Sequence, residues 1–242
     1  MKCTKCAEKI TAVEHADENS YWLITQFIDK FYAFRIDSDG VNTTPVVSQL
    51  DPFITTEGYR RNGIGYLKSS PDGSKLAICH AQNSDQPSST TSSGTTGSVW
   101  LYDFDTATGV VSNPLNIQDG LATYGLDFSA DSKKLYVGNT NNLSQFDLEA
   151  ADIPASQFIV FQGSSFLAAV QLGPDGKIYV CNTSNSTTLD VINSPEELGA
   201  ACDYVQDGIA LAPGTSANLG LPPFIQSFLI AKIEFEEVIE KN

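Results

Sequence analysis

The sequence predicts an all-β fold, a β-propeller of about four four-stranded blades. Three observations carry this. A turn recurs between short apolar runs: Ser70-Pro71-Asp72-Gly73 before Lys75-Leu76-Ala77-Ile78, Ser129-Ala130-Asp131-Ser132 before Lys134-Leu135-Tyr136-Val137, and Gly173-Pro174-Asp175-Gly176 before Lys177-Ile178-Tyr179-Val180. The copies start 59 and 44 residues apart, the spacing of a repeated four-stranded unit. The runs between them are rich in Val, Ile, Tyr and Phe, with Gly, Pro, Asp and Asn as punctuation. A lone sheet of this kind cannot bury both faces, whereas sheets packed side by side cover one another.

The elements follow in order. The first blade is predicted at 10–16, 21–27, 31–37 and 44–50, where β-branched and aromatic residues alternate with polar ones. The second is predicted at 64–70, 75–81, 99–105 and 110–117, and the third at 124–129, 134–138, 143–148 and 157–161. The fourth takes 168–172, 177–181, 189–192 and 204–210. Third strands end in Asp37, Asp105 and Asp147, because an Asp carboxylate bonds the backbone two residues on and starts a turn. Residues 1–9 are a tail, 10–230 the blades, and 231–242 a C-terminal strand or the start of a following module. Four blades give a partial propeller, or one completed by self-association.

The connections divide by length. Those at 51–63, 83–98, 182–188 and 212–223 are long, and propeller topology gathers them on one face, where binding usually evolves. Residues 83–98 are mostly Ser, Thr and Gly and read as a spacer. The Asp turns are tight and belong to the other face.

Composition narrows the partners. The chain has 242 residues, enough for one large all-β domain or two small ones, and 14 basic against 29 acidic residues give a net charge of −15. Nucleic acid and anionic lipid both require Lys/Arg neutralisation, so neither is an expected partner. No apolar stretch reaches the roughly 18 residues of a membrane-spanning helix. No apolar leader follows Met1.

Each candidate for chemistry has a plainer reading. Cys3 and Cys6 have redox or zinc spacing, yet no second ligand pair follows. Cys79 and Cys181 occupy equivalent places two blades apart and are expected to be free; Cys181 with Cys202 is the one pairing the order allows. Glu14 and His15 are neighbours on a strand and point to opposite faces, so His15 reads as structural, as does His80. Asp37-Ser38-Asp39-Gly40 opens like a calcium loop, but Ser48 stands where a bidentate Glu belongs. Tyr59, Arg60 and Arg61 lie on the long-loop face and are the candidate ligand-binding residues. No nucleophile elbow, phosphate loop, dinucleotide fingerprint or His-Glu-x-x-His is present. No catalytic residue, cofactor or metal is expected.

Several ordered motifs carry a family resemblance. They include Glu8-Lys9-Ile10-Thr11-Ala12-Val13-Glu14-His15, Tyr21-Trp22-Leu23-Ile24-Thr25, Gly65-Tyr66-Leu67-Lys68-Ser69-Ser70-Pro71-Asp72-Gly73 and Tyr124-Gly125-Leu126-Asp127-Phe128-Ser129. Leu198-Gly199-Ala200-Ala201-Cys202-Asp203-Tyr204 and Gly220-Leu221-Pro222-Pro223-Phe224-Ile225-Gln226-Ser227-Phe228 continue the series. Nearly the whole chain resembles the propeller region of large secreted Bacteroidetes surface proteins, which carry PKD or Ig-like modules and a type IX, gliding-associated sorting domain. Upstream blades and the sorting domain are absent from this sequence. The resemblance implies a secreted or cell-surface location and no catalytic residues.

The expectation is therefore a non-enzymatic binding or scaffold module for a protein or glycan ligand. The alternatives are a lactonase-like or other hydrolytic propeller, which needs a channel-facing cluster of titratable groups, and a structural spacer.

Overall fold

The computed structural model describes residues 7–55, 60–83 and 97–228, with the side chains of Arg60 and Arg61 left aside. The chain divides into two compact units. The first comprises the residues up to Ser69 together with Gly73–Tyr124; the second comprises Ser70–Asp72 and everything from Gly125 onward.

The first unit holds two antiparallel sheets. One contains β1 (Ile10–Glu14), β2 (Tyr21–Phe27), β3 (Lys30–Asp37), β4 (Gly40–Val41) and β5 (Val46–Gln49). The expected fourth strand at 44–50 is β5, and the two-residue β4 before it is an additional strand; both pair with β3. They are separated at Asn42–Pro45, where Asn42 Oδ1 accepts the Thr44 amide at 3.0 Å and Pro45 has no N–H to give. The second sheet runs β6 (Leu67–Ser69), β7 (Lys75–His80), β8 (Ser98–Phe104) and β9 (Val111–Asp119). β6 is shorter than the expected 64–70, because the chain makes a 3-10 turn at Arg60–Gly63 and then bends at Gly65, whose φ is 135°. Facing side chains alternate as the pleat requires: Val13, Trp22, Ile24, Phe31 and Ala33 pack on Leu76, Ile78 and Tyr102 to form the core.

The second unit holds two four-stranded sheets. One runs β10 (Thr123–Phe128), β11 (Lys134–Asn139), β12 (Asn142–Asp147) and β13 (Phe158–Gln162). The other runs β14 (Leu167–Leu172), β15 (Ile178–Asn182), β16 (Thr188–Ile192) and β17 (Tyr204–Ala210). Tyr136 and Leu143 of one sheet pack on Val170, Leu172, Ile178, Val180 and Ile192 of the other. The four-stranded, sequentially paired sheets make this a β-propeller fold.

The recurrent Asp is turn chemistry. Ser70 Oγ donates to Asp72 Oδ1 at 2.5 Å and Ser129 Oγ to Asp131 Oδ1 at 2.6 Å. Asp37 Oδ1 accepts the Asp39 amide, and Asp105 accepts the Ala107 amide and the Thr108 hydroxyl. Cys79, Cys181 and Cys202 are free and buried. The Cys181–Cys202 pairing does not form, because Cys202 lies in the turn beside Ile192 while Cys181 lies at the opposite end of β15.

Candidate functional site

The residues expected to bind a ligand do not form a described site. Tyr59 and the side chains of Arg60 and Arg61 lie outside the described residues; the backbone of Arg60 and Arg61 belongs to the 3-10 turn. That turn nevertheless frames another group of residues in the first unit.

Glu8 and Lys9 precede β1 and are stitched to the turn: the Glu8 amide donates to Gly63 O at 3.0 Å, and Glu8 Oε1 accepts the Gly65 amide at 3.0 Å. This fixes Lys9, placed in the tail by the sequence reading, inside the fold with 1% of its surface exposed. Its ammonium donates to Asn62 O at 3.2 Å and meets His80 Nδ1 at 2.8 Å. His80 closes β7 and is fully buried.

Two glycines make room for the strand end. A Cβ on Gly65 would stand 2.0 Å from Cys79 O, and one on Gly97 would stand 2.0 Å from Leu121 O and 2.9 Å from His80 O. Only glycine lets these backbones approach so closely. Thr123 Oγ1 then bonds the carbonyls of His80 and Ser98 at 3.4 and 3.3 Å.

The electrostatics follow from burial. Loss of water lowers the Lys9 pKa from 10.5 to about 8, against weaker opposing pulls from Cys79 and Glu8. Burial, and then the Lys9 charge, hold His80 well below its ordinary value, so the imidazole is neutral. Burial also pushes the Cys79 thiol up to about 12, which leaves it uncharged at neutral pH.

These states fix the tautomer. Below pH 8 the Lys9 ammonium can only donate, so Nδ1 must accept and the ring proton sits on Nε2. His80 Nε2–H is then a buried donor, and it has no hydrogen-bond partner among the described residues. A neutral imidazole N–H backed by a cation is suited to polarise a carbonyl and to stabilise an oxyanion.

Other buried acids are engaged differently. In the second unit, Asp127 accepts the Leu172 amide at 2.8 Å, the Phe128 amide at 2.9 Å and Gln226 Nε2 at 2.5 Å. Asp190 accepts Asn182 Nδ2 at 2.9 Å, the Asp207 amide at 2.8 Å and the Tyr204 hydroxyl. His15 accepts the Asp17 amide and packs on Trp22 with ring centres 5.3 Å apart, a turn-stabilising role. No group of three His, Cys, Asp or Glu side chains is placed to hold a metal among the described residues.

Sequence reasoning missed Lys9 as a partner of His80, and the miss has a cause. The two are 71 residues apart, and neither belongs to a motif of fixed spacing. The available signal was local: a histidine ending the otherwise apolar run Leu76–Cys79.

No protein-family model and no curated protein matches the sequence. Solved structures do match in fold. A putative 6-phosphogluconolactonase from Bacteroides fragilis superposes with a TM-score of 0.50 at 13% identity, covering 84% of this chain and 56% of that one. Another from Bacteroides uniformis gives 0.50 at 13%, covering 85% and 58%. The PQQ domain of pyranose dehydrogenase from Coprinopsis cinerea gives 0.50 at 10%, covering 76% and 45%. The chain therefore spans about half the length of these proteins. These likenesses show the β-propeller fold; these three propellers are named for enzymes, which runs against the expectation of a non-enzymatic binding or scaffold module.

Proposed function

We propose that this chain is part of a hydrolytic propeller that opens cyclic esters, with His80 as the group that meets the substrate carbonyl. The observation that carries the reading is the Lys9–His80 pair, which leaves one buried N–H without a partner among the described residues. The names of the Bacteroides propellers supply the substrate class, and the geometry supplies the chemistry.

The reaction adds water to the lactone carbonyl. Nε2–H donates to the carbonyl oxygen and stabilises the negative charge that develops there. When the ring C–O bond breaks, the leaving alkoxide takes the Nε2 proton, and Nδ1 takes one from the Lys9 ammonium. The attacking water sheds one proton to solvent as it adds; the proton lost when the product acid ionises to a carboxylate returns to Nε2, and Nδ1 hands its proton back to the Lys9 amine. Lys9 is the positioning residue: it fixes the tautomer and refills the imidazole. Both side chains are enclosed in the resting structure, so the reading requires the chain around His80 to open for substrate.

The test is a pH-stat assay of γ- and δ-lactones, glucono-δ-lactone among them, corrected for spontaneous opening. Wild type is expected to accelerate at least one, and His80→Phe to lose about 10²–10³-fold of that rate. His80→Gln retains an N–H donor and should lose less. A wild-type rate equal to the spontaneous one across the panel would sink the proposal, as would full activity in a folded His80→Phe.

A further inference from the structure

Residues 211–228 follow β17 as a strap within the second unit, and the ties that hold it change in kind along its length. The Leu211 amide donates to Thr187 O at 2.9 Å and the Ala217 amide to Ser186 O at 2.8 Å, so backbone bonds hold the strap to the loop between β15 and β16. Farther on, the Cys181 thiol donates to Gly220 O at 3.9 Å. Gln226 Nε2 then donates to Asp127 Oδ1 at 2.5 Å, while Asp127 Oδ2 accepts the Leu172 amide. Cys181 and Leu172 lie at opposite ends of the β14–β15 pair, in which Leu167 faces Asn182 and Leu172 faces Ile178. The strap therefore spans that pair from end to end. On the way it passes through Pro222 and Pro223, which carry no N–H for a further ladder.

Gln226 breaks the usual order of burial. Leu219, Phe224 and Phe228 are 50%, 47% and 49% exposed, whereas Gln226 is fully buried. A segment that leaves its large apolar side chains half out and sends its carboxamide in is anchored by a hydrogen bond more than by hydrophobic burial. That bond is strong, because its acceptor is a carboxylate. Its cost is of the same order: Gln226 Oε1 and Ser227 Oγ are buried and have no hydrogen-bond partner among the described residues. Gain and cost nearly offset each other, which is the energetics of a catch that can open.

We infer that residues 218–228 are a detachable strap, with Gln226 as its latch on Asp127. The strap opens over Cys181 and Asp127 while the sheets beneath it stay folded. The inference uses the second unit alone and is independent of the chemistry at Lys9.

The test is peptide-resolved labelling of the native protein with N-ethylmaleimide. Cys181 meets the strap at Gly220 and reports its opening. Cys202 packs with Tyr136 and Ile192 in the core of the same unit and reports general loosening. Gln226→Met keeps the volume and removes the bond, so Cys181 should label about tenfold faster than in wild type, or more, with Cys202 unchanged. Gln226→Ala should do the same, and it supplies a second reading where methionine disturbs the seat. A strap held by packing would leave Cys181 at its wild-type rate in Gln226→Met, and that result overturns the inference. So does a parallel rise at Cys181 and Cys202 in both variants, which would make Gln226 a support of the sheets.

Discussion

Replacing Lys9 by Met tests whether the buried ammonium is charged at a cost to stability. The folded pKa of about 8 against 10.5 corresponds to about 3 kcal/mol of disfavoured charge at neutral pH. The sign follows from proton counting. Between pH 8 and 10.5 the unfolded chain keeps the Lys9 proton while the folded chain sheds it. The unfolded state then binds more protons, so wild-type stability rises with pH across that window. Lys9→Met has no such group, so the stability difference between variant and wild type should fall by about 3 kcal/mol from pH 7.5 to 10.5. The absolute difference at pH 7.5 will be smaller than that, because Met also deprives Asn62 O and His80 Nδ1 of their donor, at about 1–3 kcal/mol for a buried group. The slope is therefore the diagnostic. Both tryptophans, Trp22 and Trp100, belong to the first unit, so urea unfolding followed by their fluorescence reports the unit that contains Lys9. Buried tyrosines such as Tyr102 also titrate differently on unfolding, but they do so in both proteins and cancel in the difference. Parallel stability curves for the two proteins would refute the reasoning.

Three further outcomes are expected. Gly97→Ala puts a Cβ 2.0 Å from Leu121 O, so the backbone must shift; a loss of several kcal/mol in urea unfolding is expected, and a neutral effect would contradict the packing around His80. Acid should destabilise the first unit below pH 6.5, because unfolded His80 takes a proton that the folded ring refuses; His80→Gln should flatten that limb of the stability profile. In a Cys3→Ser, Cys6→Ser background, a thiol reagent should find Cys79, Cys181 and Cys202 unreactive until urea unfolds the chain, and rapid labelling of the native protein would contradict their burial.

The strands were legible because their signal is local. Alternation in Tyr21–Phe27 and the Ser-x-Asp turns at Ser70 and Ser129 report on residues a few places apart. The short β4 at Gly40–Val41 carries no such signal, since two residues after the Asp37 turn show no alternation, whereas the run after Pro45 marks β5. The site was hidden for a different reason. Lys9 gains its meaning only when the Arg60–Gly63 turn and the end of β7 meet around it, and those contacts span 53 and 71 residues. Next in the chain to Arg61, the backbone carbonyl of Asn62 accepts from Lys9, and a backbone acceptor leaves no mark in the sequence.

The contrast among buried polar groups gives the strongest reason to read the Lys9 pair as more than architecture. Asp190 is enclosed and costly to desolvate, yet amide, carboxamide and phenol donors meet both its oxygens, so packing alone accounts for its retention. Lys9 and His80 are enclosed as fully, and among the described residues their arrangement is poorer for stability: the cation's hydrogen-bond partners are a carbonyl and an imidazole, and one imidazole N–H has no acceptor. A methionine and a leucine of similar volume would cost less. On the reading proposed above, a fold that keeps the costlier pair, with Gly65 and Gly97 allowing the close backbone approach around it, keeps it as a donor for a substrate carbonyl. If the pair served packing only, Lys9→Met with His80→Leu would gain stability and leave lactone opening at the wild-type rate; on the present reading it gains stability and loses the rate.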